Sequence, residues 1–299
     1  MSGLTLEDFA YESAVDEFTD HVVYKRMSEL GFEKRHRFSG TLKKMSAMEY
    51  GHYRFWMKYC PDREIKVSNL KVYLIIFLRL LLGVTFAVKF LERNEMNTIR
   101  KYKDVARRIP QRDQTQFKRI IADEVEHEND FANRFDEPHV RYISFIVLGL
   151  ADALVEIAGI HAGSLGIYNK TELAGLAGII AGAAASIAMA SAAYAQAKTG
   201  FKGSAARSAV YTGISYFFTA LILATPYFLT DDMVYALTAS LIFAVVLTAF
   251  ISFYGAVISG GRFKKDFIEI TSIILGATVA LYLLGIAIGY FTGITKLGI

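Results

Sequence analysis

Two short patterns in the first half of the chain pair a carboxylate with an imidazole at a spacing of three: Glu49-x-x-His52 and Glu124-x-x-His127. On a helix, residues i and i+3 are neighbours on one face. Each pattern therefore presents an oxygen and a nitrogen ligand together, a combination suited to iron, with manganese as the alternative. Bridging carboxylates hold two such cations side by side and offset their mutual repulsion. A second constellation lies further along. Asp152 and Glu156 are one helical turn apart inside a long apolar run. A carboxylate at the centre of a membrane helix costs about 2.5–3.5 kcal/mol on insertion scales, so two of them mark an ion or proton path by default.

The helices that must position the first constellation are bounded by breakers. Helical stretches are expected over 5–31, 37–59, 70–106 and 112–136, ending at or before Gly31, Pro61, Pro110 and Pro138. A break near Gly83 fits the third. Four such stretches make an all-α, four-helix bundle, in which two helices each give Glu-x-x-His and the other two each give a Glu. The second helix supplies Glu49 and His52, and the fourth supplies Glu124 and His127. From the first helix the choice is Glu17, two turns before Tyr24, with Glu12 as the alternative. From the third, Glu92 and Glu95 are a turn apart, and either or both reach the metals.

The second half reads differently. A span needs about 20 apolar residues, and five segments qualify: 142–167, 173–197, 207–229, 233–258 and 267–292. The second is rich in Gly, Ala and Ser, which let helices approach closely in lipid. His139 and Arg141, then Lys198, Lys202 and Arg207, then Arg262, Lys264 and Lys265 mark alternate connections. By the positive-inside rule this puts residues 1–138 in the cytoplasm and the C-terminus outside the cell membrane. The acidic N-terminus has no apolar core and does not read as a signal peptide. Segment 70–91 is also apolar, but Arg79 lies in its middle. A sixth span there would part the Glu49 and Glu124 helices. It is expected instead to be a bundle helix with a wide apolar face, packed on a partner subunit or on the membrane surface.

Composition narrows the classes. Hydrophobic residues make up 53% of the 299, concentrated after residue 140. The single cysteine, Cys60, excludes a disulfide framework and any cysteine-based zinc or rubredoxin-type iron site. The net charge of +4 comes with basic residues near span ends, which argues against a nucleic-acid partner.

Residues 5–136 resemble rubrerythrin-type ferritin-like domains through Glu17, Glu49-x-x-His52, Glu92/Glu95 and Glu124-x-x-His127. Residues 140–299 resemble the vacuolar iron transporter family. The similar segments are LGLADALVEIAG, SIAMASAAYAQAK, ATPYFL and IILGATVALYLLGIAIG. The same domain order is found in membrane-bound ferritins. In the transporter family an Asp-Gly-Leu motif, here Asp152-Ala153-Leu154, and a second-helix Met, here Met189, line the ion path. The Glu-rich insert of plant and fungal members is replaced here by a connection of about ten residues (KTGFKGSAAR). The ferritin-like domain would then be the metal-collecting element.

The resemblance implies two domains, 1–138 and 139–299, a di-iron site and a homodimer in the lipid bilayer. It also implies ferrous iron as the ion, exchanged for protons, and the expected topology makes the direction export out of the cytoplasm. The rival expectation is an enzyme, a membrane-tethered di-iron ferroxidase or peroxide-scavenging oxidoreductase. The lone cysteine leaves no rubredoxin-type electron donor for a complete rubrerythrin. A third expectation makes the bundle a metal sensor that gates the transporter.

Overall fold

The computed structural model describes residues 5–30, 38–93, 95–126, 137–165, 167–168 and 170–292, and among these it is all-helical. The chain divides into two compact units, Met1–Glu137 and Pro138–Ile299.

In the first unit, α1 (Leu6–Glu29) starts at Thr5, whose hydroxyl accepts the Asp8 N–H at 3.1 Å. Acidic Glu7 and Asp8 sit in the first turn, where the helix dipole favours negative charge. α2 (Phe38–Trp56) returns alongside it. Ser39 donates to the Ser28 carbonyl at one end, and His52 meets Glu17 further along, so the two helices are antiparallel.

The third predicted stretch is not one helix. It is divided into α3 (Asn69–Leu82), α4 (Val84–Glu92) and α5 (Glu95–Val105). The first break is Gly83, at φ 94° and ψ 167°, a region essentially restricted to glycine. Past it, the Glu137 carboxylate accepts the Val84 and Thr85 N–H groups at 3.1 and 2.7 Å, capping α4. At 14 residues, α3 is about 21 Å long, too short for a hydrocarbon core of about 30 Å. It buries Val72, Ile75 and Arg79 and exposes Leu70, Tyr73, Leu74, Phe77, Leu80 and Leu81. α6 (Gln114–Glu126) follows.

Two apolar cores hold these helices. One joins Val23 and Met27 of α1 to Leu42 and Met45 of α2, Val72 and Ile75 of α3, and Val84 and Val88 of α4. The other joins Phe9 and Ala14 of α1 to Phe55 and Trp56 of α2, Tyr102 and Val105 of α5, and Phe117 and Ile120 of α6. Each large apolar side chain fully buried in them contributes about 1.5–3 kcal/mol. On α1 and α2, the positions between the cores, Glu17, Glu49 and His52, are polar and buried.

The second unit opens with the single turn α7 (Pro138–Arg141). Five helices long and apolar enough to cross a membrane follow: α8 (Ile143–Ser164), α9 (Thr171–Lys198), α10 (Ala205–Ala224), continued by a 3-10 turn over Thr225–Phe228, α11 (Met233–Ser259) and α12 (Phe263–Thr292). Small residues set their separations. A β-carbon at Gly182 would lie 2.5 Å from that of Ala220, and one at Gly285 would lie 2.2 Å from the Gly163 carbonyl oxygen. These are close helix contacts of the kind lipid-embedded proteins use in place of a hydrophobic driving force.

Candidate metal centre

Glu17 from α1, Glu49 and His52 from α2, and Glu124 from α6 converge on one buried point, with one ligand atom from each lying within 4.8 Å of the others. All four are at most 6% exposed. His52 is at the middle. Its Nδ1 is 3.1 Å from Glu124, 3.5 Å from Glu17 and 3.5 Å from Glu49, while its Nε2 is 3.4 Å from Asp123.

Burial would favour neutral His52. The hydrogen bonds to Glu124, Glu17 and Glu49 outweigh it and hold the imidazole charged, with its pKa far above the ordinary range. The carboxylates divide the consequences. Burial pushes Glu49 well up, with Glu17 and Glu124 adding like charge. Glu124 is pushed up to about 7, chiefly by burial and then by Glu17. Glu17 is held below its usual value because hydrogen bonds to His52, Glu49 and Tyr102 overcome its burial. Three carboxylates around one imidazole could hold a metal ion, whose charge would replace that of the proton on His52. The oxygen and nitrogen donors fit iron or manganese.

Around this group lies a supporting shell. Tyr102 of α5 donates to Glu17 at 2.5 Å, and the Trp56 indole N–H donates to Tyr102 at 3.2 Å. Tyr24 of α1 donates to Glu92 at 3.2 Å. Glu92 is 6% exposed, and burial pushes its pKa up to about 8, with Glu124 adding like charge. Such partners orient ligands and tune their basicity. A cavity of about 70 Å³ adjoins the cluster, lined among others by Glu12, Asp16, Glu17, Asp20, Glu49 and Glu124. Asp20 is paired with Lys71 at 2.8 Å, and burial pushes it up to about 6.

Of the residues proposed from sequence, Glu17, Glu49, His52 and Glu124 come together, and Glu92 approaches through Tyr24 and Glu124. Glu12 is exposed on the wall of the adjoining cavity. Glu95 is the first residue of α5, and its side chain lies outside the described set. His127 lies outside the described residues altogether. Tyr102, Trp56 and Asp123 join the site without being among the residues the sequence motifs single out. Tyr102 is 85 positions from Glu17, so no local spacing signals their bond. Asp123 had a signal, since it directly precedes Glu124.

In the membrane-spanning unit, Asp152 and Glu156 lie near the middle of α8, both half-buried. Tyr216 of α10 donates to Glu156 at 2.5 Å. From α9, Met189 packs against the apolar cluster of Ala153, Leu154, Ile157 and Ala158 on α8. Glu156 is thus tied into the unit's helix packing, where lipid alone would leave a carboxylate unsupported, and Asp152 lies one turn before it on the same helix.

Comparison of the chain with protein-family models, with curated proteins and with solved structures finds no match. The metal-capable cluster and the spanning helices therefore rest on this chain's own geometry.

Proposed function

We propose that this protein is a ferrous-iron transporter that exports the metal from the cytoplasm, with manganese as a further cargo. In this reading, unit 1 is a ferritin-like bundle that captures the cation, and α8 and α9 line its path across the membrane. The observation that carries the reading is the buried Glu17–Glu49–His52–Glu124 cluster in a chain that also holds two mid-span carboxylates. A cation that reaches the cluster displaces the His52 proton and those on its carboxylates. The second station is Asp152 and Glu156, where a carboxylate can alternate between metal-bound and protonated forms, coupling export to proton entry. In this reading residues 1–138 lie in the cytoplasm, which the basic connections support through the positive-inside rule. A homodimer belongs to the same reading, and the exposed apolar face of α3 offers surface for it.

One observation favours an oxidative second role. Tyr102 and Trp56, both oxidisable, are hydrogen-bonded in series to Glu17. A membrane-tethered ferroxidase is the reading that would use them.

Transport of radioactive iron into proteoliposomes separates the two. Wild type is expected to carry iron without consuming oxygen, and Asp152→Ala to carry little. Oxygen consumption at the rate of iron loading, with no transport, would favour the enzyme.

A further inference from the structure

An open groove of about 710 Å³ lies between α9 and α10 on the membrane-spanning unit. The two helices are antiparallel, since Gly182 meets Ala220 while Ala190, further along α9, meets Gly213, earlier on α10. Small residues make the floor. A β-carbon at Gly213 would lie 3.1 Å from that of Ala190 and 3.3 Å from the Ser186 carbonyl oxygen, so the backbones approach closely there. Larger side chains make the walls: Ile187 and Tyr194 from α9, and Val210, Ile214, Phe217 and Phe218 from α10. The serine hydroxyls along the groove turn back onto their own helix. Ser186 donates to the Ala183 carbonyl at 2.8 Å and Ser191 to that of Ile187 at 2.9 Å. The surface left to a ligand is therefore mostly apolar.

One end of the groove is charged. Ile187, Ser191, Tyr194 and Lys198 follow at spacings of four and three, which keeps them on one face of α9. The Lys198 ammonium lies 4.8 Å from the centre of the Tyr194 ring, which holds it at the groove's mouth. Lys202 in the connection between the helices and Arg207 in the first turn of α10 bring the exposed cations at this end to three. Among the described residues none of the three is paired with a carboxylate. Ser186 is near the middle of α9, and from it to Lys198 is about 18 Å along the helix. Half of a hydrocarbon core is about 15 Å. The groove thus has the reach of one leaflet, from mid-membrane to the level of the headgroups.

We propose that this groove binds a single anionic phospholipid, with one acyl chain between α9 and α10 and the phosphate held by Lys198, Lys202 and Arg207. Charge decides the class of lipid. Basic pockets between membrane helices take anionic headgroups. A choline headgroup brings its own cation toward these three, whereas a glycerol headgroup brings only the phosphate. The start of α10 adds the positive end of a helix dipole at the same level. Charge also argues against a second copy of the chain as the occupant. A two-fold axis along the membrane normal would set the three cations of one copy at the same depth as those of the other, like charge facing like. The proposal needs only the membrane-spanning unit and holds whatever ion the protein carries.

The test uses full-length protein purified in detergent, with native mass spectrometry to count bound lipids. Phosphatidylglycerol and phosphatidylcholine with the same acyl chains are the two probes. Wild type is expected to hold one phosphatidylglycerol at least tenfold more tightly than phosphatidylcholine. Lys198→Gln/Lys202→Gln/Arg207→Gln, which leaves the groove open, is expected to bring the two lipids to equal affinity. Ser191→Trp, which fills the groove and keeps the cations, is expected to lose the bound lipid, with Val210→Trp as the second filling variant from the facing wall. Circular dichroism checks that each variant keeps its helices. Equal affinity of wild type for both lipids overturns the proposal. A triple variant that keeps the preference overturns it too, since the site would then lie at another basic connection. So does phosphatidylglycerol held at wild-type affinity by folded Ser191→Trp or Val210→Trp. A lipid-free wild-type dimer that either filling variant converts to monomer would give the face to a second copy and overturn it as well.

Discussion

His52 is the residue on which the metal centre turns, because three buried carboxylates compete for one ring nitrogen. Replacing any one of the four should leave the others miscounted in charge. Glu49→Gln is expected to weaken iron binding by at least tenfold, about 1.4 kcal/mol, measured by calorimetry on the full-length protein. Affinity unchanged by this substitution would remove Glu49 from the site. Protons compete for the same oxygens. Because burial raises Glu124 to about 7 and Glu92 to about 8, iron affinity should climb as pH rises through that interval and metal binding should release protons. The linked stability has the opposite sign in metal-free protein. Both folded pKa values lie above their unfolded ones, so this contribution is fully present below the ordinary glutamate range and is lost as pH rises through about 7 to 8. Thermal unfolding of metal-free protein should thus move to lower temperature as pH rises from the ordinary glutamate range to about 8, and iron should reverse the change. At this scale the sequence was partly legible. The spacing of three placed Glu49 beside His52, while the Tyr102 bond to Glu17 and the Trp56 bond behind it required the fold.

At the scale of elements, the division of one predicted helix into three matters most. The apolar run over 70–91 and the charged run after it invite a single helix, but Gly83 turns the chain where no other residue sits comfortably. The break lets α3 and α4 pack on each other while α4 still delivers Glu92 toward the cluster. Gly83→Ala should destabilise unit 1 by about 1–3 kcal/mol, the cost of holding a side chain in that backbone region. Glu137→Ala should cost about 1 kcal/mol through the lost cap on α4. Chemical denaturation followed by the fluorescence of the single tryptophan, Trp56, reads both. The glycine's turn could be suspected from sequence. Its cap could not, because Glu137 reaches α4 from more than 50 positions away.

For the whole molecule, the five spans were legible because apolar length is a sufficient signal in lipid, and the helices match the predicted segments to within a few residues. What apolar length does not reveal is the interior. The Tyr216 bond to Glu156 and the small-residue contacts that bring α8, α9, α10 and α12 together depend on packing. The exposed face of α3 belongs at this scale too. On the proposed homodimer reading, Phe77→Asp, which charges the middle of that face, should shift detergent-solubilised protein from dimer to monomer in light scattering with the helical signal retained, and a wild type that runs as a monomer would remove the dimer from that reading. An unchanged dimer would place the interface elsewhere. The central claim is that the buried cluster and the mid-span carboxylates serve one cation path. Its most direct test is iron flux through right-side-defined proteoliposomes for wild type, Glu49→Gln and Asp152→Ala. The account predicts rapid flux in wild type, reduced flux at low iron in Glu49→Gln that recovers at high iron, and near-complete loss at all concentrations in Asp152→Ala. Full flux in Asp152→Ala would contradict it.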